Sequence, residues 1–311
     1  MTVGMSEGTS GISDGVGCNV THCSGFRVGG LSVSLKGDSS ADVLLTPPLE
    51  PFRVEACPSD IEMRVDWVAE LAPTQRRKLF DSGSIWRLYE DQAELQFDFS
   101  VPAFGTRPYK RLLVDRHFCR ATLQMNQDCF AGTASQADPL EYPLDELLIT
   151  HRLTLEKGIE LHSSGIVGPG SESNLFVGHS GAGKSTTSRL WATRDGVEVL
   201  SDDRIILRED ATQIFMYGTP WHGEAHFALP QRAPLQRIFV LEHGHGNVLT
   251  RLTRSQMVAE LFARSFVPFH RHEYVDNALS FLERVADSVP CYRYSFEPDE
   301  RAVEKILNFR D

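Results

Sequence analysis

The sequence predicts an α/β chain in two parts: a β-rich N-terminal module, then a mixed domain of helices and strands that carries a phosphate-binding loop. Three observations predict it. Apolar residues alternate with polar ones through much of residues 26–131, the period-two pattern of strands with one buried face. From Leu144 onward helical spacing and short strand-like runs succeed one another, as in α/β and α+β chains. Between an apolar run and a helix-forming stretch, Gly178 to Ser185 matches G-x-x-x-x-G-K-[ST].

Residues 1–25 are rich in Gly and Ser and read as a disordered tail; with neither a basic start nor an apolar stretch, they do not form a signal peptide. In the module, Ile61, Met63, Val65 and Trp67 alternate with polar residues, as do Ala93, Leu95, Phe97 and Phe99, then Cys119, Ala121, Leu123 and Met125. Half-buried antiparallel strands are expected there, with Pro47, Pro48, Pro51, Pro58 and Pro102 falling in the turns. Residues 132–143, small, polar and proline-bearing, are expected to be a linker. The second domain, residues 144–311, opens on a helix marked by Leu144, Leu147, Leu148, His151 and Leu155 and closed by Gly158. Strands are expected over residues 159–167 and 173–177, a helix over 184–193, and a strand over 197–200. Short strands near residues 205–207, 214–217, 237–241 and 248–252 precede helices over 255–266 and 274–285. A strand over 292–296 and a helix over 298–308, with Pro298 in its first turn, complete a mixed sheet with flanking helices.

The formal charge of −11 argues against a nucleic-acid partner, whose phosphates call for a basic surface. No apolar run approaches a membrane span. Six scattered cysteines without a C-x-x-C read as reduced thiols, so a cytoplasmic location is expected.

Each residue of the loop has a physical task. Gly178, Gly181 and Gly183 let backbone amides approach phosphate oxygens, with His179, Ser180 and Ala182 contributing main chain. Lys184 supplies an ammonium to the β- and γ-phosphates, Ser185 a hydroxyl for Mg²⁺, and the helix starting through Thr186 presents its positive end. ATP, or another nucleoside triphosphate, with Mg²⁺ is the expected ligand; the loop reads phosphates and leaves the base open. Asp202 and Asp203 follow the apolar run Val197, Val199, Leu200, where a metal-holding acid belongs. One of the pair would bind metal while the other accepts a proton, with Asp203 expected nearer the metal.

The stretch from Leu161-His162 to Val177, then GHSGAGKST and the SDD at Ser201 to Asp203, resembles the kinase domain of bacterial HPr serine kinase/phosphorylase. More distantly it resembles ATP-dependent phosphoenolpyruvate carboxykinase. The resemblance implies a P-loop domain of that type over about residues 158–241. It implies that Asp202 and Asp203 act as metal ligand and base, that His162 helps set the base, and that the acceptor is a serine on a protein or peptide. Because HPr kinases are hexamers, it leaves a homo-oligomer open. The Gly-rich signature that follows the acidic pair in HPr kinases is absent; Gly218-Thr-Pro-Trp-His-Gly-Glu224 stands in its place, and the N-terminal module bears no such likeness.

In that segment Glu224 is a further candidate acid at the mouth of the site, against a plain tight turn with Trp221 buried. Arg204 and Arg232 are candidates for contacting phosphate. His243-Gly-His245 and His270-Arg-His272 lack a second ligand pair at metal spacing and do not read as zinc sites. The expected function is an ATP- and Mg²⁺-dependent kinase acting on a serine. A carboxykinase-like enzyme with a closed pocket of convergent Arg and Lys, or a non-catalytic nucleotide switch, are the alternatives.

Overall fold

The computed structural model describes residues 21–55, 58–105, 107–131 and 137–310. The expected tail lies outside them up to residue 20, and residues 132–136 of the expected linker do too. The tail ends earlier than expected, because β1 (His22–Val28) already pairs with β2 (Leu31–Gly37) from His22 onward. Main-chain pairing needs no apolar signal, and the polar start of β1 conceals it.

The N-terminal residues form a nine-stranded sheet. After β1 and β2 come β3 (Arg53–Val54), β4 (Ile61–Val68), β5 (Arg77–Asp81), β6 (Trp86–Glu90), β7 (Glu94–Phe99), β8 (Lys110–Asp115) and β9 (Arg120–Asn126). Their order is β3-β1-β2-β4-β9-β8-β7-β6-β5. The all-antiparallel expectation fails at β4, which runs parallel to both β2 and β9. Alternation reports a buried face and is silent on strand direction. Gly29 and Gly30 turn β1 into β2 with φ of +60° and +76°, values a two-residue hairpin requires and glycine supplies without strain. A Cβ on Gly29 would come within 2.7 Å of Ile206 Cδ1, so this turn presses directly on the second part of the chain.

Helix α1 (Leu144–Thr154) packs Leu144, Leu148, Ile149 and Leu153 into the same core as Phe26, Leu35, Met63 and Phe97. Each such side chain contributes about 1.5–3 kcal/mol by leaving water. Ala137 and Leu140 are buried in that core as well, so residues 137–143 are packed structure rather than the linker expected there. Ile206, Tyr217 and Trp221 join it from beyond α1, and the two parts share one apolar interior.

The second sheet is mixed. Its strands are β10 (Gly158–Val167), β11 (Ser173–Val177), β12 (Glu198–Ser201), β13 (Arg204–Asp210), β14 (Gln213–Gly218), β15 (Arg232–Pro234), β16 (Arg237–His243), β17 (Val248–Arg251) and β18 (Cys291–Phe296). The order is β15-β14-β13-β10-β11-β16-β18-β17, with β12 on β10. Only β11–β16 and β16–β18 among these pairs are parallel. Helices α3 (Arg254–Phe262) and α4 (His272–Ser288) cover one face through Met257, Leu261, Phe281 and Leu282. Helices α2 (Lys184–Ala192) and α5 (Glu300–Leu307) cover the other through Trp191, Val303 and Ile306. Asp299 caps α5 by accepting from the Arg301 amide, which leaves Pro298 just outside the first turn where it was expected.

Two consequences of this topology position the site. Parallel β11, β16 and β18 end on the same edge, bringing the residues after Val177, His243 and Phe296 together. Along β10, residues 158–162 pair with β13 and residues 165–167 with β12. The chain passes from one partner to the other through Asp202 and Asp203, which therefore face His162 and Ser163.

Candidate active site

Gly178 to Gly183 link the end of β11 to the start of α2. Gly181 and Gly183 take φ of +80° and +101°. A Cβ on Gly183 would lie 2.4 Å from Phe296 Cζ, so the ring under the loop admits glycine alone; around Gly181 there is open space. His243 Nε2 donates to the Gly181 carbonyl at 2.8 Å and tethers the apex of the loop. His179, Ser180 and Gly181 are exposed, Ala182, Ser185 and Thr186 half-buried, and Gly178 buried.

Lys184, 5% exposed, turns its ammonium back into the loop and donates to the carbonyls of Gly178 and His179, each at 3.1 Å. Burial lowers its pKa to about 8 against the upward pull of Asp203 and Asp202. The lysine is thus a desolvated cation held over the loop, in electrostatic reach of both acids.

The two acids differ sharply. Asp202 is fully buried and its carboxylate accepts from the amides of Gly223 (3.0 Å), Ala225 (2.9 Å) and Phe227 (3.3 Å). It also accepts from Ser185 Oγ at 3.1 Å. The segment after Gly218 therefore wraps one carboxylate with main-chain donors, and a Cβ on Gly223 would come within 2.8 Å of Asp202 Oδ2. Asp203 is partly exposed, with Oδ1 3.0 Å from His162 Nε2 and Oδ2 3.2 Å from Arg204 Nε. Burial pushes its pKa up, but the His162 bond and the Arg204 charge outweigh that and take it down to about 2. The acid against Ser185 is Asp202; the expectation had Asp203 on that side. Sequence order could not decide this, because a turn can present either of two adjacent side chains to α2.

Arg204 lies across the back of the site. Its Nη1 is 3.0 Å from Glu146 of α1 and 3.6 Å from Glu160 of β10, and its guanidinium stacks 3.9 Å from the Phe266 ring centre. Glu160, wholly buried, has its pKa raised by burial and then by Glu146, and takes a hydrogen bond from Thr150 Oγ1 at 2.7 Å. Arg204 is therefore committed to three carboxylates and is not free for a phosphate. Arg232 sits on edge strand β15, bonded to Asp210 (2.7 Å) and Tyr217 (2.9 Å), in a separate cavity with Arg27 and Pro51.

Glu224 is exposed, and its carbonyl accepts from Arg189 Nη2 at 3.0 Å. It does not share the hydrogen bonds that join the two aspartates to Ser185 and His162. The turn with Trp221 buried is what the structure shows, its Nε1 donating to Asp145 at 2.8 Å, while the amides of Gly223, Ala225 and Phe227 wrap Asp202. Asp145 has its pKa raised to about 7 by burial, against that bond.

Sequence reasoning missed Glu146 and Glu160 behind the site and the tether from His243 to the loop. One signal was present: Glu160 stands between Ile159 and Leu161 in a strand buried on both faces, where a carboxyl needs a partner. His243 was findable only through topology, as the last residue of the strand beside β11.

Among the described residues no three His, Cys, Asp or Glu side chains cluster so as to hold a metal unaided, and no helix is long and apolar enough to cross a membrane. No family model matches the chain, and no curated protein matches it. Among solved structures, it is similar to the HPr(Ser) kinase/phosphatase from Coxiella burnetii at 13% identity, over 48% of this chain and 93% of that chain. The TM-score of 0.30 is too low to carry an inference.

Proposed function

We propose that this chain is an ATP- and Mg²⁺-dependent phosphotransferase that phosphorylates a serine hydroxyl on a protein or peptide. The observation that carries the reading is the division between the adjacent acids: Asp202 lies against Ser185 of the loop, Asp203 against His162. Phosphoryl transfer needs little covalent chemistry from the protein and much positioning and charge stabilisation, which such a site can supply. In this reading the amides after Gly178 and the Lys184 ammonium hold the β- and γ-phosphates, the lysine exchanging its loop carbonyls for phosphate oxygens.

The donor set suits Mg²⁺, a hard ion commonly held by one or two protein oxygens plus phosphate. Ser185 and Asp202 would hold it, and the ion supplies neutralisation of charge on the phosphate oxygens. Asp203 is ionised throughout the neutral range. It accepts the acceptor hydroxyl's hydrogen bond, aims the hydroxyl oxygen at the γ-phosphorus, and takes the proton as the new O–P bond forms and the bond from that phosphorus to the β,γ-bridging oxygen breaks, its electron pair leaving with ADP. A weakly basic carboxylate suffices because the proton leaves an oxygen that is already bonding to phosphorus. His162 and Arg204 fix the orientation of that carboxylate.

A serine-bearing protein or peptide is favoured over a small anionic substrate by the lining of the cavity at Asp203. Arg204 is its one Lys or Arg side chain, already paired, and Asp138 and Asp145 share the wall. A convergent set of free cations would favour the carboxykinase-like alternative.

The test is incubation with γ-labelled ATP, Mg²⁺ and a pool of serine peptides, read by intact mass. Addition of one phosphate to serine, lost in Lys184→Ala and Asp203→Asn, is the expected result. Nucleotide binding with no phosphorylated product under any condition would leave the chain a switch and end the kinase reading.

A further inference from the structure

Two cavities meet at Arg204. The first, about 520 Å³, is bounded by Pro47 and Pro48 of the N-terminal part, by Tyr142, by Trp221, and by Asp203 with Arg204. The second, about 530 Å³, is walled by Phe80 and Trp86 from β5 and β6, by Phe266 and Phe269 after α3, and by Tyr142. Tyr142 and Arg204 line both, so the two are neighbouring cavities with a shared wall, one beside the candidate base and the other against the N-terminal sheet. Each volume falls in the range of ligand pockets, roughly 300–1,000 Å³, and exceeds what a serine side chain alone would fill.

The second cavity is unusual in its rim. Phe80, Tyr142 and Phe269 are 41%, 53% and 63% exposed, and they are three of the six large hydrophobic side chains exposed among the described residues. Scattered single apolar residues need no explanation, whereas a cluster facing one cavity does. Its charged members, Arg204 and Glu146, are ion-paired with each other 3.0 Å apart, so a charged ligand finds no free partner there.

We propose that the two adjacent cavities together form the acceptor cleft, and that the acceptor is a peptide segment whose serine reaches Asp203 in the first cavity while a neighbouring aromatic or large aliphatic side chain fills the second. This rests on the kinase reading above. The occupant follows from adjacency: the apolar cavity is walled by the same arginine that bonds Asp203, so whatever fills it lies one side chain away from the reacting hydroxyl. It also gives the N-terminal sheet a part in the reaction, because Phe80 and Trp86 belong to that sheet. Arg204, stacked on Phe266 and bonded to Asp203, is the wall between serine and side chain.

The experiment is a positional scan of short peptides with one central serine and Gly, Phe, Leu, Asp or Lys fixed in turn at each flanking position. Each is incubated with the full chain, Mg²⁺ and ATP, and phosphate is read by mass. Phe or Leu at one flanking position should raise kcat/KM about tenfold or more over Gly, the discrimination an apolar pocket gives. The preference should collapse toward parity in Phe80→Ser/Phe269→Ser and fall partway in Phe269→Ser alone, with Mg-ATP affinity reporting an intact fold. Transfer indifferent to flanking residues would overturn the acceptor cleft and leave the kinase intact. An apolar preference that survives both variants would place its origin elsewhere and overturn the assignment. Failure of every peptide to accept phosphate, with Mg-ATP bound, would remove both readings together.

Discussion

On the proposed phosphate side, eight consecutive residues, Gly178 to Ser185, supply the loop, the ammonium and a hydroxyl, and one buried acid is added from β12's end. On the proposed acceptor side, Asp203, Arg204, Glu146, Tyr142, Phe80 and Phe269 come from separate stretches of the chain and from both sheets. The first is local and main-chain built; the second exists only after the two parts have packed through their shared core. The difference teaches where variation can act. A phosphate cradle of amides tolerates change in neighbouring side chains, while an acceptor cleft assembled from side chains is respecified by changing any of them.

The largest effect expected from breaking this contrast is at Arg204. Arg204→Ala leaves Glu146 and Asp203 without their cation and Phe266 unstacked, and should cost about 3–5 kcal/mol of folding stability in chemical denaturation. Mg-ATP affinity of the folded fraction should stay near that of the parent chain, since the loop makes no contact with it; an equal loss of nucleotide binding would erase the distinction between the two sides. Next comes Lys184→Ala, which removes the ammonium held over the loop. Transfer should fall by roughly 10²- to 10³-fold while binding of a preferred acceptor peptide persists by fluorescence polarisation. Loss of peptide binding in that variant would mean that the sides are coupled.

Two pH effects sharpen the contrast further. The Asp203 pKa is lowered from 3.8 to about 2, so its contribution, about 2 kcal/mol, is fully present above the ordinary value. It is lost as pH falls toward 2. Denaturation of parent and Asp203→Asn chains at pH 3 and pH 6 should show a gap that narrows in acid; an unchanged gap would mean that the His162 and Arg204 contacts do not hold the carboxylate. Smallest is the lysine. With its pKa lowered to about 8, Lys184 is charged at neutral pH and deprotonates above it. Mg-ATP affinity, read by calorimetry, should be flat below pH 8 and weaken by up to about tenfold per unit beyond. An affinity constant through pH 9 would show that the ammonium contributes little to binding.

The strand–loop–helix order around Gly178 to Ser185 was legible because its signal is contiguous: glycine spacing, an apolar run before and a helix-forming stretch after. The placement of His162 on a strand and of the acid pair at the end of another was legible through the same succession of elements. Which acid meets Ser185 was not, since that depends on how β12 and β13 hand the chain along β10. The β-rich module was legible as alternation at residues 61–67 and 93–99, whereas the parallel placement of β4 was hidden, direction leaving no mark on a pattern of period two. Helix α1 was found by its leucines, but periodicity could not tell that those leucines face the first sheet. Phe80 and Phe269 carry no mark in the sequence, and only the fold brings them to one rim.

The central claim is that the adjacent aspartates do different work, and it is tested most directly by measuring Mg²⁺-dependent ATP binding and phosphoryl transfer in Asp202→Asn and Asp203→Asn. Asp203→Asn should keep Mg²⁺-dependent binding and lose transfer by about 10²- to 10⁴-fold, while Asp202→Asn should lose the Mg²⁺ dependence of binding itself. Identical behaviour of the two variants, or Mg²⁺ dependence lost only with Asp203, would contradict the division on which the account stands.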